Sequence, residues 1–317
     1  VNYHFGELDV WGYHLFNLMV RLLNSSLVFW LTLLNLSSPV LKDQTISRDK
    51  KIIAFFTALL FVSHPLATQS VTYIVQRMAS MVTLFYLLSL SLYLKARLKD
   101  GKNVSKYLFF AGAFISGVLA MLSKENSFTL PLAIVLTEIF FVQTKKSSIN
   151  FKDYRVLLIG AGLLGFLLMV FAKYSSSIFT SLPPSEVNNF TTITSSNYLL
   201  TQFSVIIKYI QLLFLPIGQN LDYDFPISNS LFELSTLFSL FLLLAIVALG
   251  VVLFKKHRII SFGIFWFFLT LSVESSIVPI ADVIFEHRTY LPSFGFFIIL
   301  SSGIYALLWN KYKNLAI

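Results

Sequence analysis

The chain has no cysteine among its 317 residues, and only 12% of its residues are charged. The absence of thiols excludes disulfide bonds, thiolate catalysis and zinc sites built on cysteine. Soluble domains carry about 25% charged residues, so this chain has too few to cover a water-soluble globule. Because 56% of the residues are hydrophobic, the composition excludes a soluble enzyme, a disordered chain and a nucleic-acid-binding domain. It predicts an integral membrane protein.

The sequence also lacks the short motifs that identify many catalytic sites. It has no glycine-rich phosphate loop, no Ser-His-Asp grouping with suggestive spacing and no histidine cluster for zinc. One acidic pair, Asp222-x-Asp224, resembles the metal-binding carboxylates of sugar-nucleotide enzymes, but Asp beside Tyr, Asn and Pro is also ordinary turn chemistry. No residue is therefore assigned as a metal ligand, and a divalent metal cofactor stays open.

Nine apolar runs reach or approach the length of a membrane span, which is roughly 20 residues. They cover residues 13–36, 51–63, 78–94, 107–122, 128–143, 156–172, 231–254, 259–278 and 290–309. A tenth run, 198–217, is interrupted by Lys208 and Gln211. The sequence predicts an all-α polytopic membrane protein in which about nine helices span the bilayer.

Lys and Arg are concentrated in a few of the connections between these runs. Of the 24 basic residues, 18 lie in residues 42–51, 95–106, 145–155, 255–258 and 311–313, beside four acids. Basic loops stay on the cytoplasmic side of a membrane. Residues 255–258 reach that side only if run 198–217 does not cross the bilayer. We therefore expect 198–217 to form a re-entrant or interfacial helix on the outer side, with an ordinary span as the alternative.

Polar segments between the apolar runs then fall on the outer side. They are residues 2–14, 64–77, 123–126, 219–226 and 281–293. Ionisable groups in such places are costly and are often functional, although each one can also cap a helix or pair with a neighbour. In segment 64–77, apolar residues near helical spacing follow Pro65. This pattern predicts an amphipathic helix on the outer interface that carries Gln76 and Arg77.

Segment 281–293 has four ionisable groups directly before an apolar run. The planar guanidinium of Arg288 suits bidentate binding of a phosphate, and Glu286 is placed to orient it. His287 is either a proton carrier or a hydrogen-bonded structural residue. In segment 123–126, Lys124 is either solvated beside Glu125 or a point charge for a phosphate.

Four stretches of the sequence together are similar to one family of membrane enzymes. They are HPLATQSVTYIVQRMASMVTLFYLLSLSLYL at 64–94, AMLSKENSFTLPLA at 120–133, QNLDYDFP at 219–226 and ADVIFEHRTYLPSFGF at 281–296. The chain resembles the membrane domain of transmembrane-and-TPR-repeat proteins, O-mannosyltransferases acting on cadherins, and their bacterial relatives. That family belongs to the GT-C superfamily of lipid-dependent glycosyltransferases, and the resemblance covers nearly the whole chain.

The resemblance implies a GT-C-like helical bundle and a particular domain organisation. Residues 1–317 would be a single membrane domain, a fragment preceded by one membrane helix and a large outer loop. A further helix and TPR repeats would follow. In the family the acidic catalytic residues lie in that outer loop. The catalytic base is therefore expected upstream of Val1, and no residue of this chain is assigned to that role.

The resemblance also implies an activity. The expected reaction moves a mannose-like or other hexose from a polyprenyl-phosphate to a hydroxyl of a protein Ser/Thr or a glycan. It would occur on the periplasmic or lumenal face of a bacterial inner membrane or an ER membrane. A fixed cation would stabilise the leaving phosphate, with Arg288 as the first choice, then Lys124 and Arg77. The other residues expected near the substrates are His64, Gln76, Glu125, Asp222, Asp224, Glu286, His287 and Tyr290.

Two other functions stay open at this point. One is a non-catalytic membrane scaffold of the same fold. The other is a transporter for lipid-linked or other solutes, which needs ionisable groups inside the membrane that face a pathway. The residues well inside the predicted spans are Arg21 and Glu138, and both also suit helix packing.

Overall fold

The computed structural model describes residues 10–42, 44–99, 101, 104–143, 193–280 and 282–313, and these residues form helices, turns and loops without a strand. The described α-helices of eight or more residues are α1 Val10–Leu36, α2 Lys50–Ser63, α3 Arg77–Arg97, α4 Val104–Ser123, α5 Leu130–Thr137, α6 Ser195–Phe214, α7 Leu234–Leu253, α8 Arg258–Leu271 and α9 Ser293–Lys313. A π-helical turn, Glu138–Val142, continues α5.

Four features of the sequence interpretation fall outside the described residues. They are the predicted run 156–172, the basic connection 145–155, most of the polar segment 2–14, and Val1, upstream of which the catalytic base is expected. The expectation about the base therefore stays a prediction, because the structure describes neither Val1 nor anything that would precede it.

Several helices are long and apolar enough to cross a membrane. They are Val10–Leu36, Arg77–Arg97, Val104–Ser123, Glu125–Val142 and Leu234–Leu253. The shorter apolar helices are Arg258–Leu271 and Ser293–Leu308. Large apolar side chains such as Phe241 and Phe114 point away from the protein, as lipid-facing residues do. A multi-pass helical membrane protein accounts for this surface, while nine as the number of spans stays a prediction.

Consecutive helices pack mostly as neighbours around an aromatic core. Helix α1 packs on α2 and α3, α3 packs on α4, and α8 packs on α7 and α9. At the centre, the Trp266 ring meets Tyr86 edge-on at 5.8 Å and Phe294 at 5.1 Å between ring centroids. Edge-to-face pairs of this kind are favourable beyond the area they bury. Part of the high Phe content therefore serves packing inside the bundle.

Helices α8 and α9 approach each other so closely that glycine is required at the contact. A Cβ added to Gly295 would lie 2.5 Å from the Gly263 carbonyl oxygen and 2.9 Å from Cδ1 of Trp266. We expect Gly295→Ala to lower the free energy of unfolding by about 3 kcal/mol, because backbone atoms of two helices must separate. Gly303→Ala is the control in the same helix, since a Cβ there meets nothing within 4 Å. Thermal unfolding in detergent measures both, and equal stability of the two variants would contradict the close contact.

The two ionisable groups well inside the predicted spans both form hydrogen bonds to neighbouring helices. The Arg21 guanidinium donates from Nε to the carbonyl oxygen of Val62 at 2.9 Å, at the end of α2. Glu138 accepts from the Tyr93 hydroxyl at 2.7 Å and from Arg97 Nε at 2.5 Å and Nη2 at 3.1 Å. Both groups therefore act in helix packing.

Helix α6 lies across one end of the bundle. Its Tyr198 hydroxyl donates to the Glu274 carbonyl at 3.0 Å, and its Gln202 amide donates to the Val283 carbonyl at 2.9 Å. Near its other end, the Leu213 carbonyl lies 3.2 Å from Nε2 of His64. Residues 198 to 213 extend over about 22 Å of helix, yet they all contact loops at the same end. This is the placement expected of an interfacial helix.

Two predicted helices are shorter than expected. Segment 64–77 is broken into the turns Pro65–Ala67, Gln69–Thr72 and Ile74–Gln76. The reason is extended backbone at His64 (ψ 130°) and at Tyr73 (ψ 104°), so the prediction of one amphipathic helix was wrong.

Run 259–278 stops being helical at Leu271. Its last seven residues, 272–278, form turns instead. In this bent segment the Glu274 side chain is buried and forms an ion pair with Lys124.

Candidate functional site

The polar segments meet at the end of the bundle that α6 covers. We call this the polar end, and it consists of residues 64–76, 124–129, 215–233 and 272–292, of which 281 is not described. It joins the ends of α2, α4 and α8 to the starts of α3, α5 and α9. The basic end, at the opposite tips of these helices, holds residues 44–50, 95–99 and 254–258. Four of the five predicted polar segments thus meet at one end, with contacts described below, while most of segment 2–14 lies outside the described residues.

Hydrogen bonds to Glu286 connect the loop after α6 to the turn before α9. Its buried carboxylate accepts from the Gln219 amide at 2.9 Å, the Asn220 backbone N–H at 3.0 Å and the Tyr223 hydroxyl at 2.5 Å. Burial and the hydrogen bond to Glu286 raise the pKa of Tyr223. Glu286 was predicted to orient Arg288, but these hydrogen bonds direct its carboxylate to the 215–233 loop.

Gln69 connects three segments of the polar end. Its side-chain amide donates to the Asn220 carbonyl at 3.0 Å, and its oxygen accepts from the His287 backbone N–H at 3.3 Å. The segment after α2, the loop after α6 and the turn before α9 are therefore held together by one side chain.

Arg288 is a buried cation with neutral partners. Its Nη1 donates to the Val283 carbonyl at 3.2 Å and the Tyr198 hydroxyl at 3.4 Å, and its Nη2 donates to the Asp282 carbonyl at 2.7 Å. The guanidinium carbon lies 5.4 Å from the centre of the Phe285 ring. Only 4% of the residue is exposed, and no carboxylate among the described residues forms an ion pair with it. Its positive charge is thus uncompensated by direct contact.

Lys124 forms an ion pair with Glu274. Glu274 is 2% exposed, and its second carboxylate oxygen is buried without a hydrogen-bond partner. This pair connects the corner between α4 and α5 to the turn after α8. Any phosphate that binds Lys124 must compete with this carboxylate.

His287 is in an electropositive environment to which Lys124 and Arg288 contribute. Burial, and then the charges of Lys124 and Arg288, lower its pKa from 6.5 to about 3. Its Nδ1 is buried without a hydrogen-bond partner. His287 is therefore neutral near pH 7, which argues against a protonated His as the phosphate-binding cation.

The lowered pKa of His287 predicts acid sensitivity. Below pH 6.5 the unfolded chain takes up a proton at this residue, whereas the folded protein does not until about pH 3. Stability is therefore complete above pH 6.5 and falls as the pH decreases. The expected loss is about 2 to 3 kcal/mol between pH 6.5 and pH 4.5. Thermal unfolding over this range checks it; His287→Gln should flatten the dependence, and an unchanged slope would contradict this assignment.

Two more predicted site residues, His64 and Tyr290, form hydrogen bonds that hold parts of the fold together. The His64 ring accepts from the Leu66 N–H at Nδ1 (3.3 Å), leaving Nε2 to donate to the Leu213 carbonyl. Burial lowers the pKa of His64, and the bond to Leu213 opposes that effect. The buried Tyr290 hydroxyl accepts from the Asn24 amide at 3.3 Å. His64 therefore links the end of α2 to α6, and Tyr290 links the polar end to α1.

The remaining predicted residues lie at the edge of the polar end. The Arg77 guanidinium carbon is 5.8 Å from the centre of the Tyr13 ring, and no described contact joins Arg77 to Lys124 or Arg288. Gln76 is half-buried and Glu125 is exposed. The structure thus connects two of the three predicted cations, Lys124 and Arg288, through Glu274 and Tyr198, and it shows no described contact from Arg77 to either.

Asp222 and Asp224 are exposed in the 215–233 loop. Among the described residues, no group of three His, Asp or Glu side chains is close enough to hold a metal ion. The Asp-x-Asp pair therefore has no third described protein ligand.

Several residues of the site were not among the predicted ones: Gln69, Tyr198, Gln202, Tyr209, Gln219, Asn220 and Glu274. A pattern in α6 could have indicated three of them, because positions 198, 202 and 209 share one helical face. Tyr209 accepts from the Phe285 backbone N–H at 2.9 Å. The polar side chains on one face of the otherwise apolar helix α6 thus indicated that this face packs against polar loops.

The all-α bundle, with its apolar outer faces and its ionisable groups gathered at one end, defines a multi-pass membrane protein with a polar site between helix ends. Comparison of the sequence with known proteins narrows this class further. The chain is 27% identical over 99% of its length to Protein O-mannosyl-transferase F38B6.6 of Caenorhabditis elegans, and it covers 42% of that protein. It is 30% identical over 71% of its length to Protein O-mannosyl-transferase tmtc2 of Xenopus laevis, covering 26% of it. Human Protein O-mannosyl-transferase TMTC2 matches 44% of the chain at 29% identity.

The chain is a homologue of the TMTC protein O-mannosyl-transferases, which confirms the family resemblance inferred from its motifs. It spans less than half of the length of these relatives. No family model matches the chain, and no solved structure matches it.

Proposed function

We propose that the protein is a glycosyltransferase that moves a mannose-like hexose from a polyprenyl-phosphate to a protein Ser/Thr hydroxyl. The relatives' names, protein O-mannosyl-transferase, support the reaction class. The observation that carries the site is the connection of Lys124 to Arg288 through Glu274 and Tyr198. Lys124 pairs with the Glu274 carboxylate, the Tyr198 hydroxyl donates to the Glu274 carbonyl, and Arg288 donates to that hydroxyl. We propose that this polar end faces the periplasm or the ER lumen, because most Lys and Arg lie at the other end.

In the proposed reaction, the acceptor oxygen forms a bond to the anomeric carbon of the sugar. The bond from that carbon to the phosphate oxygen breaks, and the lipid phosphate leaves with the electron pair. The proton of the acceptor hydroxyl passes to a carboxylate, which the family resemblance puts upstream of Val1 in sequence. Negative charge on the leaving phosphate increases in the transition state, so fixed cations contribute most there.

Arg288 suits the leaving phosphate because it is held in place before substrate binds. Its carbonyl and hydroxyl partners fix its position without neutralising it. Lys124 would join when the phosphate displaces Glu274. Neutral His287 would then provide a hydrogen bond to the sugar or phosphate without adding a further charge to the site.

The direct test incubates the purified full-length protein in nanodiscs with radiolabelled polyprenyl-phosphate mannose and acceptor proteins rich in Ser and Thr. We expect label on the acceptor, and none when GDP-mannose replaces the lipid-linked sugar. Polyprenyl-phosphate glucose in a parallel reaction measures sugar selectivity. Transfer from GDP-mannose alone, or no transfer from either lipid-linked sugar, would overturn the proposal.

No described contact specifically favours the two alternative functions, a transporter and a non-catalytic scaffold. A transporter needs ionisable groups facing a pathway, whereas Arg21 bonds to the Val62 carbonyl and Glu138 to Arg97 and Tyr93. A non-catalytic scaffold would leave the cations at the polar end without a substrate. The transfer assay separates both alternatives from the enzyme.

A further inference from the structure

A second site lies at the basic end, away from the proposed transfer chemistry. A groove of about 510 Å³ opens between the ends of α1 and α3 and the start of α4. Its walls are apolar at Leu34, Leu98 and Phe109, and Ser37, Lys95 and Lys99 complete the lining. Apolar walls with two lysines at the rim suit an amphiphile with a negative head.

Four lysines surround this groove, and their described partners are neutral. Lys50 donates to the Ser37 hydroxyl at 2.9 Å, and Lys106 donates to the Lys99 carbonyl at 3.1 Å. Lys99 contacts the Ser105 hydroxyl and lies 5.8 Å from the centre of the Phe109 ring. Lys95 is exposed at the rim. The ion pairs among the described residues are Arg97–Glu138 and Lys124–Glu274, so none of the four lysines has a described carboxylate partner.

Helix dipoles do not compensate this charge. The carboxyl end of α3 contributes roughly half a negative charge, and the amino end of α4 contributes roughly half a positive charge. These partial charges nearly cancel, while the lysines add four positive charges. The groove therefore attracts an anion, and its apolar walls favour one that carries a hydrocarbon chain.

We propose that an anionic phospholipid of the leaflet at the basic end binds in this groove. Its phosphate lies between Lys95 and Lys99, and one acyl chain lies against Leu34, Leu98 and Phe109. Lysines near a membrane surface each add about 1 kcal/mol to the binding of anionic lipid, which is about fivefold in affinity. Lys95 and Lys99 together should favour an anionic over a zwitterionic lipid about 30-fold.

Native mass spectrometry of the purified full-length protein tests this proposal. The protein is exchanged into mixed micelles with equal amounts of phosphatidylglycerol and phosphatidylcholine, and the retained lipids are counted. Wild type should retain phosphatidylglycerol selectively. Lys95→Gln with Lys99→Gln should reduce this selectivity about 30-fold. Ser37→Trp fills the groove at an exposed position without removing a lysine, and it should reduce retention of the lipid as well.

Lys51→Gln with Lys256→Gln is the control for charge, because it removes two exposed lysines from the same end that line neither this groove nor the apolar groove beside Lys255. It should keep most of the selectivity. Equal losses in the two double variants, or full retention in Ser37→Trp, would overturn the groove as the site. Thermal unfolding of every variant in detergent identifies any loss that comes from misfolding, and the proposal is judged on the variants that unfold like wild type.

Discussion

Replacing Arg288 by lysine is expected to lower the rate of sugar transfer by about 10² to 10³-fold. Lysine keeps the positive charge but not the planar fork that holds two carbonyl groups and the Tyr198 hydroxyl while presenting further N–H groups. Since this interaction strengthens as the phosphate leaves, the loss should appear in kcat more than in KM. Transfer from labelled polyprenyl-phosphate mannose at several donor concentrations measures both constants.

Lys208→Gln is the matched control for Arg288. It removes one basic charge from α6, at the same end of the bundle, where Lys208 contacts Gln211 at 3.5 Å. Transfer by this variant should stay within about twofold of wild type, since Lys208 is half-buried and its described partner is the neutral Gln211. Arg288→Lys with near-normal kcat and a normal unfolding temperature would remove Arg288 from the proposed site.

Separating Lys124 from Glu274 should produce the largest loss of stability. Glu274→Gln leaves the lysine without its carboxylate, and Lys124→Met leaves the buried carboxylate without its cation. Removing one partner of a buried ion pair costs about 3 to 5 kcal/mol. The combined variant should lose clearly less than the sum of the two single losses, because neither charge is then left alone. Thermal or denaturant unfolding in one lipid composition gives the three values.

Glu125→Gln is the control for this cycle, because Glu125 follows Lys124 directly in sequence but is exposed. Its effect should be within about 0.5 kcal/mol. Strict additivity of the two single losses would show that the ion pair contributes nothing. The combined variant also separates stability from function, since it should remain folded and still lose transfer through the missing Lys124.

Long apolar runs predicted most of the helices with only small errors at their ends. Run 107–122 corresponds to Val104–Ser123, and run 231–254 corresponds to Leu234–Leu253. Hydrophobic length is a local property, so sequence was sufficient there. Hydrophobic length failed to predict the end of the helix in run 259–278. There the chain leaves the helix before Glu274, whose side chain contacts Lys124, 150 residues earlier in the sequence. No local pattern in either segment indicates that contact.

The sequence by itself determined that this is a multi-pass helical membrane protein with its basic residues concentrated in a few connections and its motifs similar to O-mannosyltransferases. Composition, the length of apolar runs and the positions of charged residues are properties of the sequence itself, so they can be determined without knowing the fold. Only the tertiary structure decided that Lys124 pairs with Glu274 while Arg288 bonds to carbonyls, that Glu286 holds the 215–233 loop, and that Arg77 lies near the Tyr13 ring. These outcomes depend on which loops share one end of the bundle. Packing of α6 across that end brings distant side chains within hydrogen-bond distance.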